Sequence, residues 1–245
     1  MKTFLLLLLA GSAFAIPSVV FDCTRIPETC KNMCFAINCK HEPSQLTFDN
    51  PSATVKKGRR NAAGCTTNNR CKGRTDKKTT CDEYPFASTA QGGASAVTRC
   101  VSIDECRSQG GSLSSFYRNL KANDKFTVTF KSFNSIAFCV APFGQCKNDG
   151  EEFQHGAPAT RRDLPSNGTE PPGQVYRTKR GLELYAPSGD VQVGDRVFVP
   201  DPELIERALD DDCSNGVDET RKRDIDEAEM EELGDWDEVE SVVPN

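Results

Sequence analysis

The stretch Thr79-Thr80-Cys81-Asp82-Glu83-Tyr84-Pro85 decides how the rest of the chain is read. Thr and Tyr favour an extended strand over Thr79 to Tyr84, and Pro85, which has no N–H for a ladder, stops it. Successive strand side chains point to opposite faces. With Cys81 turned inward to a disulfide partner, Glu83 shares its side, while Asp82 and Tyr84 share the other. Asp82 is then the better candidate for an open cleft, and Asp82 and Glu83 are not a paired-carboxylate site unless the strand bends. The bland alternative is an ordinary polar strand end.

Downstream, Ser102-Ile103-Asp104-Glu105 has the S-x-x-E spacing of a capping box and predicts a helix start. There the Glu105 carboxylate has a purely local use, accepting the backbone N–H of Ser102. Gln109-Gly110-Gly111 breaks this helix, and Leu113, Phe116, Tyr117 and Leu120 recur at the spacing of a second, amphipathic one. Phe126 to Phe130 alternates like a half-buried strand, with Ile136 to Val140 as its partner. Strands mixed with short helices give an α+β domain.

Upstream, residues 16–54 hold four cysteines and little periodicity, which reads as a stapled irregular module. Residues 55–78 carry nine basic residues against the single acid Asp76 and lack large apolar side chains. They read as a surface loop that is either simply solvated or a phosphate-binding patch. Arg59-Arg60 within it also has the form of a dibasic processing site. Residues 147–174 are a Pro/Gly-containing linker with a second dibasic pair, Arg161-Arg162. The linker also holds the only N-glycosylation sequon, Asn167-Gly168-Thr169. Residues 175–185 and 191–199, separated by Pro187-Ser188-Gly189-Asp190, look like a small β-hairpin, and Asp201-Pro202 opens a short helix through Leu209. From Asp210 onward acid dominates, the composition of a disordered tail, with a vague calcium-loop pattern over Asp211 to Glu219.

The ends and the cysteines place the chain outside the cell. Met1-Lys2-Thr3, the apolar run Phe4 to Ala10, and Ala13-Phe14-Ala15 form a signal peptide over residues 1–15, cut after Ala15. Twelve cysteines follow it: Cys23, Cys30, Cys34, Cys39, Cys65, Cys71, Cys81, Cys100, Cys106, Cys139, Cys146 and Cys213. An even count in an exported chain reads as a disulfide framework, and with His41 and His155 the only histidines the zinc spacings are missing. Eleven of the twelve lie within 23–146, so one there is either free or joined to Cys213. Residues 16–163 hold 21 Lys/Arg against 14 Asp/Glu, whereas residues 164–245 hold 8 against 22. A cationic, cysteine-rich half is drawn to polyanions, and charge alone does not choose among nucleic acid, acidic polysaccharide and anionic lipid.

Cys81-Asp82-Glu83-Tyr84-Pro85-Phe86-Ala87 resembles the signature of the secreted NucA/NucB deoxyribonucleases. Glu105-Cys106-Arg107-Ser108-Gln109-Gly110, with Leu113 and Phe116-Tyr117, is similar to that family's second block. Phe21-Asp22-Cys23, Asn32-Met33-Cys34 and Ala62-Ala63-Gly64-Cys65 look like fungal members. The resemblance covers residues 20–146. It implies a compact ββα-metal-type nuclease domain over 16–146, with a Cys-rich part (16–54), the basic stretch (55–78) and a catalytic part (79–146). Beyond lie the 147–174 linker, the 175–209 hairpin and short-helix region and the 210–245 acidic tail. In such a site Asp82 would activate water in place of the usual histidine, and Glu105 would hold Mg2+ or Mn2+. Arg99, Arg107 and Arg118 flank it in sequence, each either a phosphate clamp or a solvated surface arginine, with Glu83 and Gln109 beside the substrate. Cys106 stands where the family has asparagine, either altering activity or closing a disulfide that holds the Glu105 helix. The expected substrate is DNA, cut by a monomer without membrane or protein partner. The rival expectation is a cationic toxin or effector that binds nucleic acid or a cell surface without cutting. A weaker one has the acidic tail mimic a polyanion over the basic site.

Overall fold

A computed structural model describes residues 16–140, 146–160, 173–201 and 234–244. The expected signal peptide, Arg161-Arg162, Asn167, the helix expected through Leu209, the Asp211 to Glu219 pattern and Cys213 lie outside the described residues.

Pro27–Lys40 forms helix α1, with Pro27 in its first turn, where the missing N–H costs nothing. Eleven of its fourteen residues are buried, so it has no polar face and therefore no amphipathic period. This overturns the irregular module expected over 16–54. Ala53–Ala63 forms α2, capped by Ser52, whose hydroxyl accepts from Val55 N, and ended by Gly64 in the left-handed region. Only Ala63 of α2 is buried, so the basic stretch begins as an exposed helix rather than a loop. Arg59-Arg60 sits inside it, with Arg59 clamped bidentately on Asp49, an unsuitable shape for a processing site.

Thr80–Tyr84 (β3) pairs antiparallel with Val97–Val101 (β4), and Ile103–Tyr117 (α3) follows directly. Ser102 caps α3 as expected, its hydroxyl accepting from Glu105 N at 3.2 Å. The expected break at Gly110-Gly111 is absent. The two glycines cost the helix about 1 kcal/mol each, and packing against α1 and the strand Ser18–Asp22 (β1) holds α3 together. The remaining short strands are Gln45–Phe48 (β2), Asp124–Lys131 (β5), Phe153–Gln154 (β6) and Ala157–Pro158 (β7). Ile136 to Val140 is not a strand: Ala137–Val140 is a single helical turn, α4, with Cys139 bonded to Cys34 of α1.

The C-terminal half is not a separate appendage. Gln174–Thr178 (β8) and Glu183–Ala186 (β9) pair with each other, and Arg196–Pro200 (β10) pairs with β1. The hairpin expected between 175–185 and 191–199 is thereby corrected. Gly234–Val243 (β11), inside the expected tail, pairs with both β10 and β8. The ring β1-β10-β11-β8-β9-β5 closes because β5 also pairs with β1, making a six-stranded barrel with β2 beside β5. Residues 146–160 are likewise no plain linker, since β6 and β7 extend the β3–β4 sheet.

Five disulfides join Cys23–Cys30, Cys34–Cys139, Cys39–Cys146, Cys65–Cys81 and Cys71–Cys100. Cys106 is also disulfide-bonded, and no described cysteine is free. Such bridging suggests an extracellular protein. No helix of the described residues is long and apolar enough to cross a membrane.

Candidate active site

The N-terminal half of α1 holds two carboxylates, each by one oxygen. Glu105 Oε2 accepts the backbone N–H groups of Glu28 (2.8 Å) and Thr29 (3.0 Å), two of the donors that a helix start leaves over. The Ser102-to-Glu105 pattern thus works in one direction only: Ser102 caps α3, while Glu105 caps α1 instead of returning to Ser102. One turn further on, Asn32 Nδ2 donates to Asp82 Oδ2 at 2.9 Å. The second oxygens, Asp82 Oδ1 and Glu105 Oε1, have no hydrogen-bond partner among the described residues.

Asp82 is buried, and the face it shares with Tyr84 is the core-facing one, contrary to the open cleft expected for that side of the strand. Asp82 still contributes to a pocket wall. The wall also draws on Thr80, Cys81 and Glu83 from β3, Lys56 and Arg60 from α2, and Cys106, Gln109 and Tyr117 among the residues of α3, with Cys65 and residues 86–88 closing it. Cys65, just past the end of α2, is bonded to Cys81, so one bridge pins the cationic helix to the strand that carries Asp82.

Burial pushes the Asp82 carboxyl well above the usual range; Asn32 opposes this, while the charges of Glu83, Glu105 and Glu152 add to it. Burial also raises Glu105, against the two backbone N–H groups that hold it. Behind β4 the charges are compensated. Arg99, opposite Asp82 in the β3–β4 register, is ion-paired with Glu28, Asp149 and Glu152. For Glu28, burial is outweighed by Lys31, Arg99 and Lys78, which hold it down at about 2. Glu152 is fully enclosed, and burial pushes it up to about 8 even beside Arg99.

The expected site residues therefore separate. Asp82 and Glu105 meet at α1, near enough that the Glu105 charge acts on Asp82. Glu83 and Gln109 line the pocket, Glu83 paired with Arg60 at 3.5 Å. Arg99 is corrected: its guanidinium is 2 % exposed and saturated by three carboxylates, so it cannot reach a phosphate. Arg107 is half-buried on α3 outside the pocket wall. Arg118 caps the far end of α3, about 20 Å along the axis from Glu105. Sequence reasoning passed over Asn32, Glu28 and Glu152 as working residues. The available signal for Asn32 was an amide inside a helix of cysteines and apolar residues.

Residues 33–129 match the family model described as Deoxyribonuclease NucA/NucB. No curated protein matches the chain.

Proposed function

We propose that this chain, whose residues 33–129 carry a NucA/NucB-like deoxyribonuclease domain and which is thereby read as a nuclease acting on DNA, is an exported, divalent-metal-dependent endonuclease with little sequence selectivity. One observation carries the reading: α1 anchors one oxygen each of Asp82 and Glu105 and leaves the other oxygen of each without a hydrogen-bond partner among the described residues. Burial raises the proton affinity of both neighbouring carboxylates, Asp82 fully and Glu105 partly enclosed, and at Glu105 it outweighs the backbone N–H groups and the Lys78 charge.

That donor set fits a hard cation. Mg2+ and Mn2+ prefer oxygen, and Mg2+ keeps most of its waters, needing one or two protein carboxylates plus substrate phosphate oxygens. Glu105 would hold the ion, which when bound lowers the pKa of water and neutralises charge on the reacting phosphate. Asp82 takes the proton of the attacking water on Oδ1, and its raised proton affinity makes it a better base than an exposed aspartate. Lys56 and Arg60 on α2 face the same pocket and pair with phosphate oxygens, a contact to backbone that carries no sequence information.

Plasmid digestion with Mg2+ or Mn2+, with and without EDTA, tests the reading. Cutting that EDTA abolishes is expected; full cutting in EDTA, or none with any divalent ion, overturns it. A second reading, a cationic effector that binds without cutting, draws on the bonded Cys106 in the pocket wall. An Asp82→Ala protein that keeps the whole biological effect would favour it.

A further inference from the structure

Two buried asparagines on α1 are used differently. Asn38 spends both ends: its Nδ2 reaches Phe138 O and Tyr185 Oη, and its Oδ1 accepts from the Tyr185 hydroxyl. Asn32 is 0 % exposed and spends one, with Nδ2 on Asp82 and Oδ1 buried without a partner. A buried orphan acceptor is disfavoured, and in native proteins it signals a water, an ion or a catalytic use. An apolar residue of similar size would fill the same space without an orphan. What Asn32 supplies is a rigid polar arm whose other end touches the carboxylate of the site.

We propose that Asn32 is a positioning residue for hydrolysis. Its N–H holds Asp82 Oδ2, so that the second Asp82 oxygen is presented to the pocket, and its own Oδ1 accepts a hydrogen bond from a water in the shell of the bound cation. Asn32 thus links the base to the hydrated ion, while the two backbone N–H groups one turn earlier fix Glu105 from the same helix. Because one rigid, disulfide-bonded helix carries all three contacts, base and cation are held in register by a single element.

This inference rests on the nuclease reading, and one set of measurements separates the two. The full exported chain and its Asn32→Ala and Asn32→Ser variants are assayed for kcat and KM on DNA with Mn2+, and Mn2+ binding to each protein without DNA is followed by calorimetry. Near-UV circular dichroism checks folding. Asn32→Ala is expected to lower kcat by about 30-fold or more with KM within about threefold, and to weaken Mn2+ binding at least about fivefold. Asn32→Ser, whose hydroxyl still donates and accepts, is expected to recover part of both. A kcat within threefold of the unaltered protein, or unchanged Mn2+ affinity, overturns the role of Asn32 and leaves the nuclease reading standing. If the alanine variant does not fold, Asn32→Leu, of similar size and without a polar group, is held to the same criteria. An unaltered chain that cuts no DNA with any divalent ion overturns both.

Discussion

The barrel and the β3–β4–α3 region differ in how much charge they bury. The barrel encloses Val20, Tyr176, Leu184, Ala186, Val191, Val197 and Val239 and keeps ion pairs such as Arg177–Glu183 outside, with side chains 50 % and 49 % exposed, although Asp237 of β11 is buried with its Oδ2 unpartnered. The β3–β4–α3 region buries Arg99, Glu152 and Asp82 and leaves Asn32 Oδ1 without a partner. Buried charges and orphan acceptors oppose folding unless fully paired, which makes the unpartnered Asn32 Oδ1 beside Asp82 the place where a functional role is sought first. Around them stand the bridges Cys65–Cys81 and Cys71–Cys100, which tie down β3 and β4.

The contrast breaks most visibly at Asp82. Asp82→Ala is expected to lower DNA cleavage by about 10³-fold while thermal unfolding shifts little or upward, because a buried carboxyl has gone. A comparable loss of stability would make Asp82 a structural residue. Next comes Arg99. Arg99→Met removes the buried guanidinium that binds Asp149 and Glu152 and is one of three cations around Glu28, and is expected to cost about 3–5 kcal/mol in denaturant unfolding, whereas Arg177→Ala on the barrel costs less than about 0.5 kcal/mol. Similar values for the two would erase the distinction between the regions. On the substrate side, Lys56→Ala and Arg60→Ala are each expected to raise KM for DNA several-fold and to lower the slope of log affinity against log salt by about 1.

The smallest effect concerns pH. Glu152 has a folded value of about 8 against an ordinary 4.5, so the fold binds a proton that the unfolded chain releases. Its contribution to stability is complete below about 4.5 and is lost as pH rises through about 8. Glu152→Gln is expected to flatten the fall in stability over that window, as read by thermal unfolding at a series of pH values. An unchanged slope would place the charged form of Glu152 in the fold.

Local chemistry made some of this legible. The cap at Ser102, the strand before Pro85 and the alternation at Phe126 to Phe130 are signals carried within a few residues, and each element stands where its signal lies. Helix α1 was hidden because burial on nearly every side removes the periodicity by which helices are found. Helix α2 was hidden because it has almost no buried face, although Ala, Lys and Arg are good helix formers. The barrel depends on β1 meeting β5 and β10, pairings between residues more than a hundred apart that leave no local mark. Asp82 and Glu105 were visible as a motif, but the element that joins them was not. Neither residue's neighbours in sequence announce that Asn32, Glu28 and Thr29 will be their neighbours in space. Arg99 misled for the same reason: beside an acid on a strand it looks like a phosphate clamp until Asp149 and Glu152 fold over it.

Everything chemical in the proposed reading depends on α1 setting the Asp82 and Glu105 carboxylates around one ion. The most direct test is a crystal soaked with Mn2+ and measured at the manganese absorption edge. The account predicts an anomalous peak at coordination distance from Glu105 Oε1, beside Asp82 and the pocket it lines. A peak bound elsewhere, with Glu105 and Asp82 untouched at saturating Mn2+, would contradict it.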